Sequence, residues 1–369
     1  MLNDLPLGPL ERALVDSLQR LDPQASPVVL ASAALLCMAL DKGDVCLPLA
    51  RLAGQRPWPD HGFSLPPLAE WQAQLEASPL VGGDGDFTPL ILEHGRLYLA
   101  RYQAYERQLA EQLLQRAADL PEVDEAQLSE SLTRLFAFNQ QQPDWQRLAA
   151  AQAVRRKLAV ISGGPGTGKT TTVVRLLALL QGPAVEAGTP LRIRLAAPTG
   201  KAAVRLTESI SGALTQLPAE RARTIPTEVT TLHRLLGAVP NRRSFRHNRD
   251  NPLQLDVLVV DEASMVDLEM MAALLDALPD QAQLVLLGDK DQLSSVEAGS
   301  VLGDLCRGAE LGGYRDDTMA LLQAFSAVAL DKWRGEGSVL NQATVMLRKS
   351  HRFDAHSGIG QLAAAVNRG

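Results

Sequence analysis

Cysteine is scarce. The 369 residues hold three, Cys37, Cys46 and Cys306, none in a C-x-x-C pair or beside a histidine cluster. That argues against a disulfide scaffold or a zinc site and points to a reducing, cytoplasmic setting. The N-terminus, MLNDLPLGPLERALVD, lacks the basic and apolar regions of a secretory signal. No uncharged run reaches the ~20 residues that span a bilayer, so no membrane contact is expected. The longest apolar run, Val28 to Leu40, reads as a buried helix. Positive charge is not in excess either: 36 basic against 42 acidic residues leave a net −6, which is unlike a nucleic-acid binder taken as a whole. The distribution differs. Residues 192–250 carry eleven Lys/Arg and four Asp/Glu, a local +7, and an acidic protein can still hold a basic groove.

The length suits two or three domains. Residues 1–118 read as a mainly helical docking module with one hairpin, 119–340 as a parallel-sheet α/β domain, and 341–369 as the start of a further domain. In the first module Leu10, Leu14, Leu18 and Leu21 recur at helical spacing, a second helix follows Ser26-Pro27, and residues 54–67 are loop. Residues 87–101 alternate around a His94-Gly95 turn, and a helix follows from Arg101 to Ala118. His61 and His94 are isolated, and nothing in this module reads as catalytic.

Residues 159–172, AVISGGPGTGKTTT, organise the rest. An apolar strand enters a phosphate-binding loop with Gly163, Gly168, Lys169 and Thr170 at the fixed positions. Gly164, Pro165, Gly166 and Thr167 complete the loop, and Thr171 enters the helix whose N-terminal dipole points at an anion. Lys169 suits the phosphates of ATP, and the Thr170 hydroxyl suits Mg²⁺. A second decisive stretch, Leu255 to Val260, is a β-branched buried strand ending in Asp261-Glu262. Beside a phosphate loop, Asp261 suits metal holding and Glu262 suits polarising the attacking water. A third strand, Gln283 to Leu287, leads to Gln292, where a γ-phosphate sensor would lie, and Ser294 to Gly299 continues into a helix.

Other segments read less sharply. Residues 192–197 form a strand ending in Pro198-Thr199-Gly200-Lys201, a turn able to grip a phosphodiester backbone or simply to cap a helix. Thr231 and His233 open another helix, with Thr231 equally readable as an N-cap. Residues 240–252 hold Arg242, Arg243, Arg246 and Arg249 around Phe245, suited to single-stranded nucleic acid or to a solvated loop. Residues 119–142 read as a polar connector with a helix over 129–138, and 308–340 as a Gly-rich insertion.

The motif order GGPGTGKT, APTGKAA, TLHRLLG, DEASM, LLGDKDQL and LRKSHRF resembles superfamily 1 DNA helicases. Its details resemble the RecD family, alpha subunits of the bacterial RecBCD enzyme (exonuclease V), strongly over residues 130–369 and more loosely before. The resemblance implies a RecA-like P-loop NTPase fold and an ATP- and Mg²⁺-dependent 5′→3′ DNA helicase in homologous-recombination repair of double-strand breaks. It implies RecB-like and RecC-like partners in a heterotrimer, the N-terminal module docking on the latter, and single-stranded DNA, the 5′-ended strand. It places no nuclease site in this chain. It carries the adenine-reading role to Gln146, the sensor to Gln292 and an arginine finger to Arg352. Pro198, Thr199, Lys201, Thr231 and His233 match segments that face DNA. The family's remaining motor motifs are expected beyond Gly369, so the chain reads as a fragment that binds nucleotide with little hydrolysis and no unwinding. The alternative is a P-loop ATPase with mainly an assembly role.

Overall fold

The computed structural model describes residues 5–136, 141–242, 244–292 and 298–349. The chain divides into two units. The first runs to Gln108 and adds Asp267–Glu269 and a short stretch ending at Gly299; the second holds the remainder.

In the first unit, α1 (Pro9–Leu21) is followed by α2 (Pro27–Asp41). The Ser26 hydroxyl accepts from Val29 N at 3.3 Å and proline fills the first turn, a strong start signal. Val29 to Cys37 are buried without interruption, so α2 is enclosed on all sides. Next come β1 (Leu47–Pro48), α3 (Leu49–Leu52), α4 (Leu68–Glu76), β2 (Val81–Gly82), β3 (Leu90–Glu93) and β4 (Arg96–Leu99). The strands order as β1-β4-β3-β2, with only the β2–β3 pair parallel. The expected hairpin is β3–β4; His94 and Gly95 both take positive φ (48° and 71°), as its tight turn demands. Trp71 of α4 donates Nε1 to Ser32 Oγ on α2 at 2.8 Å, so the one polar atom of a fully buried indole is satisfied. The α1 leucine stripe behaves differently from expectation. Val15 and Leu18 are buried, while Leu10 and Leu21 are 66% and 68% exposed. The apolar stripe is wider than the contact, and only the edge near Leu18 packs inward.

From the first unit α5 (Ala100–Ala118) continues into the second. There follow α6 (Glu125–Leu135), α7 (Trp145–Val154), β5 (Leu158–Gly163), α8 (Lys169–Glu186), β6 (Ile193–Ala197), α9 (Gly200–Leu214), α10 (Ala219–Ala222), β7 (Val229–Thr231), α11 (Leu232–Leu236) and β8 (Val257–Val260). The elements α12 (Leu268–Ala277), β9 (Gln283–Gly288), α13 (Val301–Leu305), α14 (Asp316–Ala324), α15 (Val339–Ala343) and β10 (Thr344–Leu347) complete it. The six strands order as β10-β5-β9-β8-β6-β7, and every pairing is parallel. Continuous burial along β5, β8 and β9 follows from a sheet covered on both faces. Each fully buried aliphatic side chain there contributes roughly 1.5–3 kcal/mol.

Three expectations change. Residues 308–340 are not an insertion: Tyr314, Met319, Leu322, Phe325, Leu330 and Trp333 belong to the main core. Tyr314 donates its hydroxyl to Thr344 O at 2.9 Å, and Arg156 reaches Thr318 Oγ1 at 3.1 Å. Low periodicity came from short helices and turns, not from lack of burial. The boundary at residue 341 also moves, because β10 pairs with β5 from Thr344↔Val160 to Leu347↔Gly163 and is an edge strand of the same sheet. Within 119–142 the expected helix is present as Glu125–Leu135, but the segment is more than a connector, since Leu128, Leu132, Leu135 and Phe136 enter that core. Residues 293–297, where a helix is expected to begin, lie outside the described residues, as does the segment beyond Lys349; the helix that follows the former is Val301–Leu305.

Trp333→Ala should therefore cost about 3–5 kcal/mol of stability, read as a shift of the denaturant midpoint. A peripheral insertion would leave the midpoint unmoved.

Candidate functional site

The site sits at the C-terminal ends of parallel strands, where the crossover topology opens a crevice. The strand β9 lies between β5 and β8. Two strand spacings, ~10 Å, thus separate the loop after β5 from the acids after β8. A cavity of about 870 Å³ fills that end. Its walls include Gly164 to Thr171, Asp261, Glu262 and Gln292, together with Thr199, Lys201 and Arg205 from α9.

Backbone geometry explains the loop's composition. Gly166 and Gly168 take φ of 77° and 84°, open to glycine at no steric cost. At Gly163 a Cβ would lie 2.6 Å from Thr167 Oγ1 and 3.2 Å from Leu347 O. The Thr167 hydroxyl donates to Gly164 O at 2.8 Å, closing the loop on itself. Lys169 Nζ donates to the Gly163 carbonyl and, at 3.4 Å, to that of Gly164. The ammonium is thereby held over the loop, and α8 begins at the same residue, so its unpaired N–H groups face the cavity.

On one flank stands Gln146, in the first turn of α7. Asp144 caps that helix, accepting from Gln146 N at 3.1 Å and Arg147 N at 3.2 Å. The Gln146 side chain donates to Thr167 O at 3.0 Å and packs on Gly168, where a Cβ would lie 2.2 Å from its Nε2. Neighbouring Trp145 meets Trp333 edge-on at 4.7 Å, and the Arg348 guanidinium lies 5.0 Å from the Trp145 ring centroid. That buttress, missed in the sequence, pins the start of α7.

Opposite, Asp261 extends the β8 ladder through its N–H to Ala196 O at 3.0 Å. Burial pushes its carboxyl up to about 6; the Glu262 backbone N–H offsets part of this, the Glu262 charge adds to it, and Lys169 subtracts. Glu262 itself takes φ 51° and ψ 39°, a left-handed conformation costing a non-glycine residue about 1 kcal/mol or more. Such outliers gather at sites where a side chain must be aimed. Beyond β9, buried Asp289 accepts from Asp291 N at 3.1 Å, and its carbonyl accepts from Gln292 N at 3.2 Å. Asp289 was not singled out in the sequence, yet it shapes the turn that carries Gln292.

The segments expected to face DNA are split. Thr199 caps α9, accepting from Ala202 N at 3.2 Å, and with Lys201 it lines the cavity. Pro198, half-buried, joins β6 to that helix. Thr231 and His233 are not among the cavity's walls: Thr231 pairs with Ala197 and caps α11 by accepting from Arg234 N at 3.3 Å, while His233 meets Phe245 edge-on at 6.0 Å. The basic loop around Phe245 is tied down by Arg246 N to Gly237 O at 3.0 Å and His247 N to Leu236 O at 3.0 Å. Arg243 and Arg352 lie outside the described residues.

Because Asp261 binds its proton more tightly folded than unfolded, it lowers stability as pH rises from the ordinary 3.8 through about 6. In chelator, Asp261→Asn should stabilise the chain at pH 7 by on the order of 2 kcal/mol, with the gain vanishing below about pH 4. Denaturant titrations across that range read it directly.

Comparison with known proteins follows the same two-part division. Residues 5–98 match the N-terminal domain of RecBCD enzyme subunit RecD, and residues 146–298 match an AAA domain, which implies nucleotide binding. The RecBCD enzyme subunit RecD of Mycolicibacterium smegmatis is 43% identical over 374 residues, covering 98% of this chain and 58% of that protein. That of Haemophilus influenzae is 39% identical, covering 82% and 48%. The ATP-dependent RecD2 DNA helicase of Deinococcus radiodurans is 42% identical over 158 residues, covering 43% and 19%. The chain spans about half the length of the RecD relatives it matches. Among the described residues no helix is long and apolar enough to cross a membrane. With a RecD N-terminal domain followed by an AAA domain, and with this identity along nearly its whole length, the chain belongs to the RecD family.

Proposed function

We propose that this chain carries the ATP-hydrolysing half of a 5′→3′ DNA helicase subunit, acting with RecB-like and RecC-like partners in double-strand-break repair. The observation that carries the reading is the meeting of Lys169, Thr170, Asp261, Glu262 and Gln292 in one cavity with Thr199 and Lys201. The first five suit phosphoryl transfer; the last two suit a strand-gripping turn.

In this reading Gly163 to Thr171 hold the triphosphate, with backbone N–H groups and Lys169 balancing its charge. Gln146, whose amide now donates to Thr167 O, is proposed to turn that amide to the adenine edge. No cluster of three His, Cys, Asp or Glu side chains forms a cage among the described residues. Mg²⁺ needs none, since it takes one or two protein oxygens and completes its shell with phosphate and water. The hard donors Asp261 and Thr170 fit it, and Asp261's raised affinity for a proton marks a buried charge in want of a cation. Bound there, Mg²⁺ supplies charge neutralisation at the β- and γ-phosphates. Glu262 accepts the proton of the attacking water, and Gln292 orients the γ-phosphate. Arg352 is proposed to approach from a neighbouring domain. Pro198, Thr199, Lys201, Thr231 and His233 are proposed to hold the 5′-ended single strand. Leu10 and Leu21 on α1 offer exposed apolar side chains for docking a partner subunit.

In the full-length protein, Glu262→Gln should leave ATP affinity within a few-fold while hydrolysis falls by at least ~10²; unchanged turnover removes Glu262 from the water-activating role. In the full-length protein assembled with its partners, Lys169→Gln should abolish unwinding from 5′-tailed ends. Unwinding that persists favours the assembly-only reading.

A further inference from the structure

The nucleotide cavity has two flanks, and they differ in charge. Gln146, on the α7 side, packs against Gly168 and is not among the cavity's walls. The other flank is α9, which contributes Thr199, Lys201, Ala202, Arg205, Leu206 and Ser209. Lys201 and Arg205 are one helical turn apart and share a face. Both are exposed, and among the described residues neither makes an ion pair or a side-chain hydrogen bond.

The polarity of a bound nucleotide follows from the proposed adenine contact at Gln146, on which this inference rests. A base held at α7 sends the triphosphate across the loop toward Asp261, Glu262 and Gln292. Those residues share their cavity with α9. The terminal phosphate, not the base, therefore faces the unpaired cations. Lys169 is the loop's own cation, and a fully ionised triphosphate carries about four negative charges against Mg²⁺'s two. A planar guanidinium matches two phosphate oxygens at once.

We propose that Arg205 binds the γ-phosphate, so that α9 distinguishes ATP from ADP. The same helix begins at Thr199 and Lys201, the turn proposed to grip DNA. Gain or loss of the γ-phosphate thus pulls directly on the DNA-facing end of one rigid element, with no intermediary between the two ligands.

The test is competitive displacement of a fluorescent nucleotide by MgATP and by MgADP, on the wild-type chain and on Arg205→Ala, Arg205→Lys and Gln146→Ala. Arg205→Ala should weaken ATP about tenfold and leave ADP within twofold, and Arg205→Lys should recover part of the loss. Gln146→Ala should weaken both nucleotides alike and keep their ratio. Thermal melts and Arg205→Gln guard against a folding artefact, since the side chain is exposed. An unchanged ATP-to-ADP ratio in Arg205→Ala and Arg205→Gln overturns the inference while leaving the nucleotide site standing. A wild-type chain that binds neither nucleotide overturns both.

Discussion

A half-buried, desolvated carboxylate within the field of a phosphate-binding loop is the constraint on which the site depends. Asp261 ends a strand whose four residues are wholly buried, and burial holds its carboxyl near 6 rather than in the usual range. The Glu262 backbone N–H and Lys169 compensate that charge only in part, and the Lys169 ammonium is shared with the loop's carbonyls. The arrangement is costly by itself and favourable once a divalent cation and a polyanion enter together. Perturbed ionisation at a cleft of this kind marks a working site.

The surrounding fold keeps these charges apart and aimed. Inserting β9 between β5 and β8 opens a gap wide enough for phosphates and metal between loop and acid. Arg116 secures the turn leading into β9, donating to the carbonyls of Leu278, Pro279, Asp280 and Ala282 at 2.7–3.3 Å. Gln283, at the start of β9, donates to Ala153 O at 2.6 Å and Arg156 O at 2.8 Å, tying α7 to the same strand. The Trp145–Trp333–Arg348 cluster then fixes the end of α7 that carries Gln146. The geometry proposed for catalysis is thus set by neutral packing and backbone hydrogen bonds away from the loop and the acids, as preorganisation requires.

Much of this was legible in the residues. The phosphate loop, the β-branched strand ending in two acids, the hairpin at His94-Gly95 and the enclosed helix after Ser26 each carry a local signal that tertiary structure did not override. What stayed hidden was long-range. Thr344 to Leu347 look like the start of something new, and only pairing with β5 puts them in this sheet. Residues 308–340 show no sustained period because their buried residues sit on short helices and turns, each contributing one or two side chains. Leu10 and Leu21 obey the spacing that also buries Leu18, yet they stay in solvent. At the site, Asp289 and Arg205 lacked any motif of their own. Arg205 could have been picked out as lying one turn after Lys201 on a motif-bearing helix.

Asp261 and the loop are proposed to hold one metal–nucleotide complex between them. Electron–nuclear double resonance on the chain with Mn²⁺ and ATP addresses it most directly. Expected are ³¹P couplings from bound phosphates, and a fall in Mn²⁺ occupancy of at least about tenfold in Asp261→Asn. Undiminished Mn²⁺ occupancy in that variant, with the ³¹P couplings intact, would contradict it.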